Sequence, residues 1–308
     1  MSWDYLFAYG WQGLVLFVWV SLAIGSFLNV VIYRLPVMLQ NQWREQSEEF
    51  LRLDAHFEGS IDALRADLSA EAQPEVAEVG TTPAFNLMVP RSRCPHCQHQ
   101  ITALENIPVL SWVFLGGKCS ACRTSISARY PGIELLTLAM SLLVIANYGF
   151  SFFGLAACVF TWMLLAAAFI DFDTTLLPDE ITYPLLWLGL LTALGDGGLV
   201  SLGDAVIGAV AGYLFLWSVY WGFKLLTGKE GMGYGDFKLL AALGAWTGWL
   251  ALPGLLLVAA ASGLIYTLIR MALKRQGRGQ AIAFGPFLAI AGWVTLVFPD
   301  TVLGFYLI

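Results

Sequence analysis

Two CxxC pairs are the first residues in this sequence whose type and spacing could do chemistry. Cys94 and Cys97 form one pair, and Cys119 and Cys122 form the other. Two such pairs, about 20 residues apart, are typical of a zinc site in which each pair forms one knuckle. Four protein thiolates fill the coordination sphere of zinc. The spacing therefore predicts one structural zinc ion per chain.

Other interpretations of the cysteines stay open at this stage. The four thiols could form two disulfides or remain free, although a cytosolic location disfavours disulfides. His96 or His99 could replace one cysteine ligand, but two symmetric pairs favour four thiolates. Cys158 stands apart, inside an apolar run, and we interpret it as a packed side chain.

A pair of carboxylates is the second candidate. Asp171 and Asp236 each lie at the end of an apolar run, where ionisable residues are costly and are functional candidates by default. Two converging carboxylates can share one proton, so that one acts as general base on a water while the other donates a proton to the substrate. This is the chemistry of aspartyl proteases. Asp173, Asp179 and Glu180 compete with Asp171, and Asp236 could simply cap a helix.

Membrane helices are the elements that must position these residues. Of the 308 residues, 58% are hydrophobic and 12% are charged, whereas soluble domains average about 25% charged residues. A net charge of −6 argues against nucleic acid as a partner. Eight apolar stretches are predicted to be helices, because a bilayer requires every backbone polar group to be satisfied within its segment. They are residues 11–33, 133–148, 152–170, 183–194, 204–226, 237–250, 255–273 and 283–303.

The distribution of Lys and Arg predicts the orientation. Eight alternating spans place every loop that contains Lys or Arg on one side of the membrane, which is then the cytosolic side. The turn at residues 171–180 falls on the same side, and the N-terminus falls on the other. The predicted fold is an all-α polytopic membrane protein with about eight transmembrane helices and a small zinc-binding cytosolic insert after the first span.

Several motifs resemble those of bacterial type IV prepilin leader peptidases, in the same order along nearly the whole chain. The most specific are the cysteine module and the GxGD motif that ends at Asp236. The other matching segments are GSFLNVVIYRLP (25–36), NIPVLSWVFLGGKC (106–119), ISARYPGIELLT (126–137), DFDTTLLPDEIT (171–182), GMGYGDFKLLAALGAW (231–246) and FGPFLAIAGW (284–293). Residues 40–80 carry no family motif.

The resemblance implies an aspartyl protease of the GxGD type in the bacterial inner membrane, with its active site facing the cytosol. Its catalytic aspartates correspond to Asp171 and Asp236. Asp171 is selected over Asp173 because it lies eight residues before Asp179 of the LLPD motif. Enzymes of this family cut the short basic leader from type IV prepilins and from the pseudopilins of type II secretion, after a glycine.

The resemblance also implies a second activity. Family members with the cysteine module typically N-methylate the new terminal residue, usually phenylalanine, with S-adenosylmethionine. The resemblance also points to Gly117 and Lys118 as contributors to methyl transfer. The expected partners are prepilin and pseudopilin precursors and the lipid bilayer, and the oligomeric state is left open.

Three domains are predicted on this basis: the first transmembrane span (1–33), a cytosolic insert (34–130) and a seven-span aspartyl peptidase domain (131–308). The insert combines an acidic stretch (40–80), with ten Asp and Glu against three Arg, and the zinc module (90–130). The acidic stretch is either a solvated spacer or an attractor of basic leaders. The alternative functions are a membrane transporter and a secretion-assembly scaffold, although a transporter favours charges in mid-span.

Overall fold

The described part of the chain is mostly helical, apart from the loops and turns of the cysteine module. The computed structural model describes residues 10–53, 85–195, 198–273 and 282–300. In these ranges strand-like pairing is limited to two isolated bridges, both in the cysteine module. The helices are α1 (Gly10–Leu53), α2 (Leu110–Phe114), α3 (Arg129–Tyr148), α4 (Phe152–Thr174), α5 (Asp179–Ala193), α6 (Leu202–Thr227), α7 (Tyr234–Thr247), α8 (Leu252–Ala272) and α9 (Gly285–Val297). The predicted all-helical architecture is confirmed.

A helix lies at each of the eight predicted apolar stretches. Five of these helices, α1, α3, α4, α6 and α8, are long and apolar enough to cross a membrane by length and composition. The other three, α5, α7 and α9, have 15, 14 and 13 residues, whereas a straight span needs about 20. Residues 301–303 of the last predicted stretch lie outside the described ranges.

The first helix is much longer than the predicted span. It continues without a break to Leu53, with Pro36 inside it, although the apolar stretch ends at residue 33. The acidic stretch predicted at 40–80 therefore begins as a continuation of α1. Its remainder, from residue 54, lies outside the described ranges. The membrane-distal part of α1 forms one side of a cleft that is described below.

Helix α7 lies at the centre of the helix bundle. Every residue from Leu239 to Thr247 is buried, as expected for a helix that is apolar on all sides. Its closest neighbour is α6, where a Cβ atom on Gly208 would overlap the carbonyl group of Gly244. Small residues at such a crossing let two helix backbones touch. The position of α7, which carries Asp236 in its first turn, is fixed by this contact.

Candidate active site and cysteine cluster

Asp171 lies one turn before the end of α4. The helix ends after Thr174 because Thr175 adopts a left-handed conformation (φ 54°), with its N–H donating to the carbonyl oxygen of Asp171 at 2.8 Å. The Asp171 side chain is only 4% exposed. Its Oδ2 atom accepts a hydrogen bond of 3.0 Å from the N–H of Gly285, the first residue of α9. The N–H groups of a first helical turn have no partner within the helix, and they stabilise negative charge nearby.

Asp236 lies in the first turn of α7, just after the N-cap residue Gly233. Its side chain is 7% exposed. Its carboxylate is close enough to that of Asp171 for the two to interact as like charges. The two residues that the sequence singled out therefore come together, although they are separated by two intervening helices.

The side chain of Leu177 lies between the two aspartate-bearing segments. A Cβ atom on Gly235, next to Asp236, would be 2.6 Å from the Cβ atom of Leu177. A Cβ atom on Gly285 would be 3.0 Å from Leu177 Cδ1 and 2.6 Å from Asp171 Oδ2. Glycine at both positions thus permits a close approach that any side chain would prevent. Leu177 and Gly285 were not singled out as site residues, since only contacts across the fold reveal them.

The acids that compete with Asp171 are engaged elsewhere. Asp173 pairs with the guanidinium group of Arg129 through both of its oxygens. Asp179 binds Lys238 Nζ through both of its oxygens, at 2.7 and 2.8 Å. Glu180 is exposed in the first turn of α5. Within the described ranges, no cation contacts the carboxylate of Asp171 or Asp236, which separates these two from the other acids.

The four cysteines converge between α1 and α3. Their Sγ atoms all lie within 4.8 Å of one another, with 3.8 Å between Cys94 and Cys122 and 3.9 Å between Cys97 and Cys119. A tetrahedral zinc ion with Zn–S bonds of about 2.3 Å separates its sulfur ligands by about 3.8 Å. A disulfide needs about 2.05 Å, and all four thiols are free. The cluster could hold a metal ion.

The two halves of the cluster share one backbone conformation. Gln98 and Arg123, which follow the second cysteine of each pair, adopt left-handed φ angles of 58° and 60°. Their N–H groups donate to the carbonyl oxygens of Cys94 and Cys119, at 2.9 and 3.0 Å. This repeated turn is the knuckle expected from the CxxC spacing.

Glu105 is an acidic residue bonded to the backbone beside the first knuckle. Hydrogen bonds from Ser120 in the second knuckle and from Thr102 beside the first lower the pKa of the Glu105 carboxyl to about 2. The Nε2 atom of His99 lies 3.3 Å from both Glu105 oxygens. His99 is therefore turned towards Glu105 and is outside the sulfur cluster.

Gly117 and Lys118, predicted to contribute to methyl transfer, lie just before the second knuckle. Gly117 adopts φ +67°, and a Cβ atom there would be 2.9 Å from the Trp112 ring. Gly117 is buried and Lys118 is exposed. The indole and the backbone conformation explain why a glycine is present here.

Two buried charged groups connect the cysteine module to the helices. The Glu134 side chain of α3 accepts a hydrogen bond of 2.7 Å from the N–H of Val109. Arg34 of α1 donates to the carbonyl oxygens of Asn86 and Pro90, at 2.9 and 2.6 Å. Cys158, in contrast, is fully buried in α4 among apolar side chains, as interpreted from the sequence.

Together these features define a class: a multi-helix membrane protein with a buried pair of aspartates and a separate four-cysteine cluster. Residues 19–148 match the model of the bacterial peptidase A24 N-terminal domain, and residues 158–268 match that of the type IV leader peptidase family. The chain belongs to this family of enzymes, and the resemblance found in the sequence is confirmed.

Several curated relatives are similar over almost their whole length. The prepilin leader peptidase/N-methyltransferase of Aeromonas hydrophila is 53% identical over 287 residues, covering 93% of this chain and 91% of the relative. Proteins with the same name are 50% identical in Stutzerimonas stutzeri, over 93% and 91% of the two chains, and 45% identical in Pseudomonas aeruginosa strain PAO1, over 99% and 97%. No solved structure gives a significant match to this chain.

Proposed function

We propose that this chain cleaves prepilin leader peptides by aspartyl protease chemistry, with Asp171 and Asp236 as the catalytic pair, and then methylates the new N-terminus. The observation that carries the proposal is the burial of these two interacting carboxylates, neither of which contacts a basic side chain in the described part of the chain. The nearby Asp173 and Asp179 are each neutralised by a basic residue. The relatives are named for both activities.

Peptide cleavage by such a pair needs one ionised and one protonated carboxylate. The ionised group takes a proton from a water molecule, whose oxygen attacks the scissile carbonyl carbon. The protonated group donates its proton to the carbonyl oxygen. The tetrahedral intermediate then collapses as a proton passes to the amide nitrogen, the C–N bond breaks, and the leader leaves with a new carboxyl group.

The environment of each aspartate suggests which role it has. The N–H of Gly285 fixes the orientation of Asp171 Oδ2 and supports negative charge on it, since it belongs to the first turn of α9. Asp236 also lies in a first helical turn, so the hydrogen bond from Gly285 is what distinguishes the two aspartates. On that basis the proposal assigns the general base to Asp171 and the proton donor to Asp236.

We place this reaction at the cytosolic face of the bacterial inner membrane. The orientation follows from the loops that contain Lys and Arg. The proposed substrates, type IV prepilins and type II secretion pseudopilins, have a basic leader in the cytosol and an apolar helix in the membrane. Their scissile bond then lies at the membrane surface, where α4 ends and α7 begins.

The cysteine cluster is proposed to hold one structural zinc ion per chain. Four thiolates leave no open coordination position for a water molecule, so the ion would stabilise the fold of the module. S-adenosylmethionine, when bound, supplies the methyl group for the new terminal amine. Of the two residues predicted to contribute, Lys118 is exposed, whereas Gly117 is shielded by Trp112.

The test is a reaction of the purified enzyme with a prepilin precursor, followed by mass analysis of the new N-terminus. Asp171→Asn and Asp236→Asn should each reduce cleavage by at least about 10²-fold, because each removes an acid–base group. Asp173→Asn is the matched control, two residues from Asp171 and paired with Arg129, and it should keep most of the activity. Full cleavage by Asp171→Asn or Asp236→Asn would overturn the assignment, and an uncut precursor with the wild type would favour the transporter or scaffold.

A further inference from the structure

A cleft opens beside the aspartate pair, between the membrane-distal part of α1 and the segment that joins α4 to α5. Its volume is about 300 Å³. One wall is formed by Leu39, Gln42, Trp43 and Gln46 of α1. The opposite wall is formed by Leu176 to Glu180, with Gly235 and Lys238 of α7. We call this space the α1 cleft.

The α1 cleft is lined by residues that adjoin both aspartates. Gly235, which lines it, precedes Asp236 in the chain. Leu177, which also lines it, contacts Gly285, whose N–H binds Asp171. A peptide that lies in the cleft is therefore next to residues that flank both aspartates.

The position of α1 determines which part of a substrate reaches the cleft. The apolar stretch of α1 ends at residue 33, and Gln46 lies roughly 20 Å further along the helix, at about 1.5 Å per residue. This end of α1 is on the same side as the basic loops, which is the cytosolic side in the proposed orientation. The cleft is thus on the cytosolic side of the aspartates, away from the apolar helix of a precursor.

We propose that the α1 cleft binds the leader, the segment on the N-terminal side of the scissile bond, and that Glu180 selects for its basic side chains. The inference rests on the proposed function and deepens it. Among the residues that the structure describes, three charged ones line the cleft, and two of them, Asp179 and Lys238, neutralise each other. Glu180 is left with an exposed carboxylate, so the lining carries a net negative charge.

The remaining lining suits an extended basic peptide. The amide side chains of Gln42 and Gln46 can both donate and accept hydrogen bonds with a peptide backbone. Trp43 is 47% exposed, and its indole is available to a Lys or Arg side chain. Leu176 and Leu177 supply apolar contacts for the aliphatic part of such a side chain.

The test compares two precursors that differ only in the leader, one with its Lys and Arg residues and one with Gln in their place. Glu180→Gln in the full-length enzyme should raise KM for the basic precursor about two- to fivefold, the range for an exposed ion pair, with kcat unchanged. It should leave KM for the neutral precursor as it was. Equal effects on the two precursors, or no effect on either, would overturn the role of Glu180.

Glu230→Gln is the matched control, because Glu230 is an exposed acid six residues before Asp236 that does not line the cleft. Its kinetics should equal those of the wild type with both precursors. A KM increase for the basic precursor as large as that of Glu180→Gln would show a general charge effect and would overturn the inference.

A second variant tests whether the leader occupies the cleft, by filling part of the cleft with a larger side chain. Gln42→Trp should raise KM for a precursor with a full leader and leave KM unchanged for a precursor whose leader is cut to its last two residues. Normal cleavage of the short precursor also shows that the variant is folded. An unchanged KM for the full leader would overturn the inference, whereas a wild type that cleaves neither precursor would overturn the proposed function itself.

Discussion

The Nζ atom of Lys238 lies 2.7 and 2.8 Å from the two carboxylate oxygens of Asp179. Lys238 follows Asp236 by two residues in α7, and Asp179 begins α5 after the loop that leaves Asp171. The ion pair therefore connects the two segments that carry the proposed catalytic residues. Lys238 also lies 5.1 Å from the centre of the Tyr183 ring, which orients its side chain.

Breaking this ion pair should weaken both stability and cleavage. Asp179→Asn and Lys238→Met should each lower the thermal unfolding temperature. A double-mutant cycle should give a coupling free energy of about 0.5–1 kcal/mol. This is at the upper end for exposed pairs because Lys238 is mostly buried, and it is no higher because Asp179 is still partly solvated. The cycle for Lys224 and Glu230, a more exposed pair, should give less. Additive effects of the Asp179 and Lys238 changes would contradict this prediction.

Adding one methyl group at Gly285 should impair catalysis without unfolding the protein. The new Cβ atom would be 2.6 Å from Asp171 Oδ2, so the carboxylate must move. A displacement of about 1 Å can cost about 10²-fold in rate, and we expect kcat of Gly285→Ala to fall by about 10- to 100-fold. Gly132→Ala, at a position with open space around it, is the control. Wild-type kcat in Gly285→Ala would show that the position of Oδ2 is unimportant.

Loss of one cluster cysteine should remove the metal. Wild-type protein should contain about one zinc ion per chain, and Cys94→Ser or Cys119→Ser should contain little, because three thiolates bind zinc much less tightly than four. Cys158→Ala, which alters a packed cysteine in α4, should retain the ion. Metal analysis gives the direct readout.

We expect the cysteine variants to separate the two activities. Cleavage by the helix bundle should persist while methylation of the product fails, since the aspartates lie on α4 and α7, outside the cysteine module. A metal-free variant that still methylates its product would contradict the proposed link between the module and methyl transfer.

The crossing of α6 and α7 should be intolerant of side chains. In Gly208→Val or Gly244→Val the new atoms would overlap the backbone of the other helix. Overpacking of this kind costs about 1–3 kcal/mol, and it should lower the thermal unfolding temperature. Gly222→Val places the same side chain on α6 with nothing within 4 Å, and it should have little effect. A drop of equal size in Gly222→Val would point to helix propensity as the cause.

Much of the helical layout was predictable, because apolar stretches in a membrane have little choice but to form helices. Their lengths were harder to predict. The hydrophobic stretch of α1 ends at residue 33, but good helix formers such as Leu, Gln and Glu follow, so the helix continues to Leu53. The short helices α5, α7 and α9 have 15, 14 and 13 residues, fewer than the about 20 that a straight span needs.

The residues of the candidate site could be predicted where the side chain itself is reactive or can bind a metal. The four cysteines and the two aspartates could be chosen from spacing and motif, whereas nothing in the sequence pairs Asp173 with Arg129. The hydrogen bond from Gly285 to Asp171 could not be predicted either, because it also depends on a contact between distant parts of the chain. A backbone N–H has no signature in a sequence, and its approach to Asp171 depends on how α9 packs against α4.

Leu177 sets the spacing between the two aspartate-bearing segments, because its side chain fills the gap between Gly235 and Gly285. The size of this one apolar residue on a short loop thus limits how closely the two segments approach each other. A substitution at position 177 would change this spacing by changing the size of a single residue. The polar residues of the active site would all stay the same.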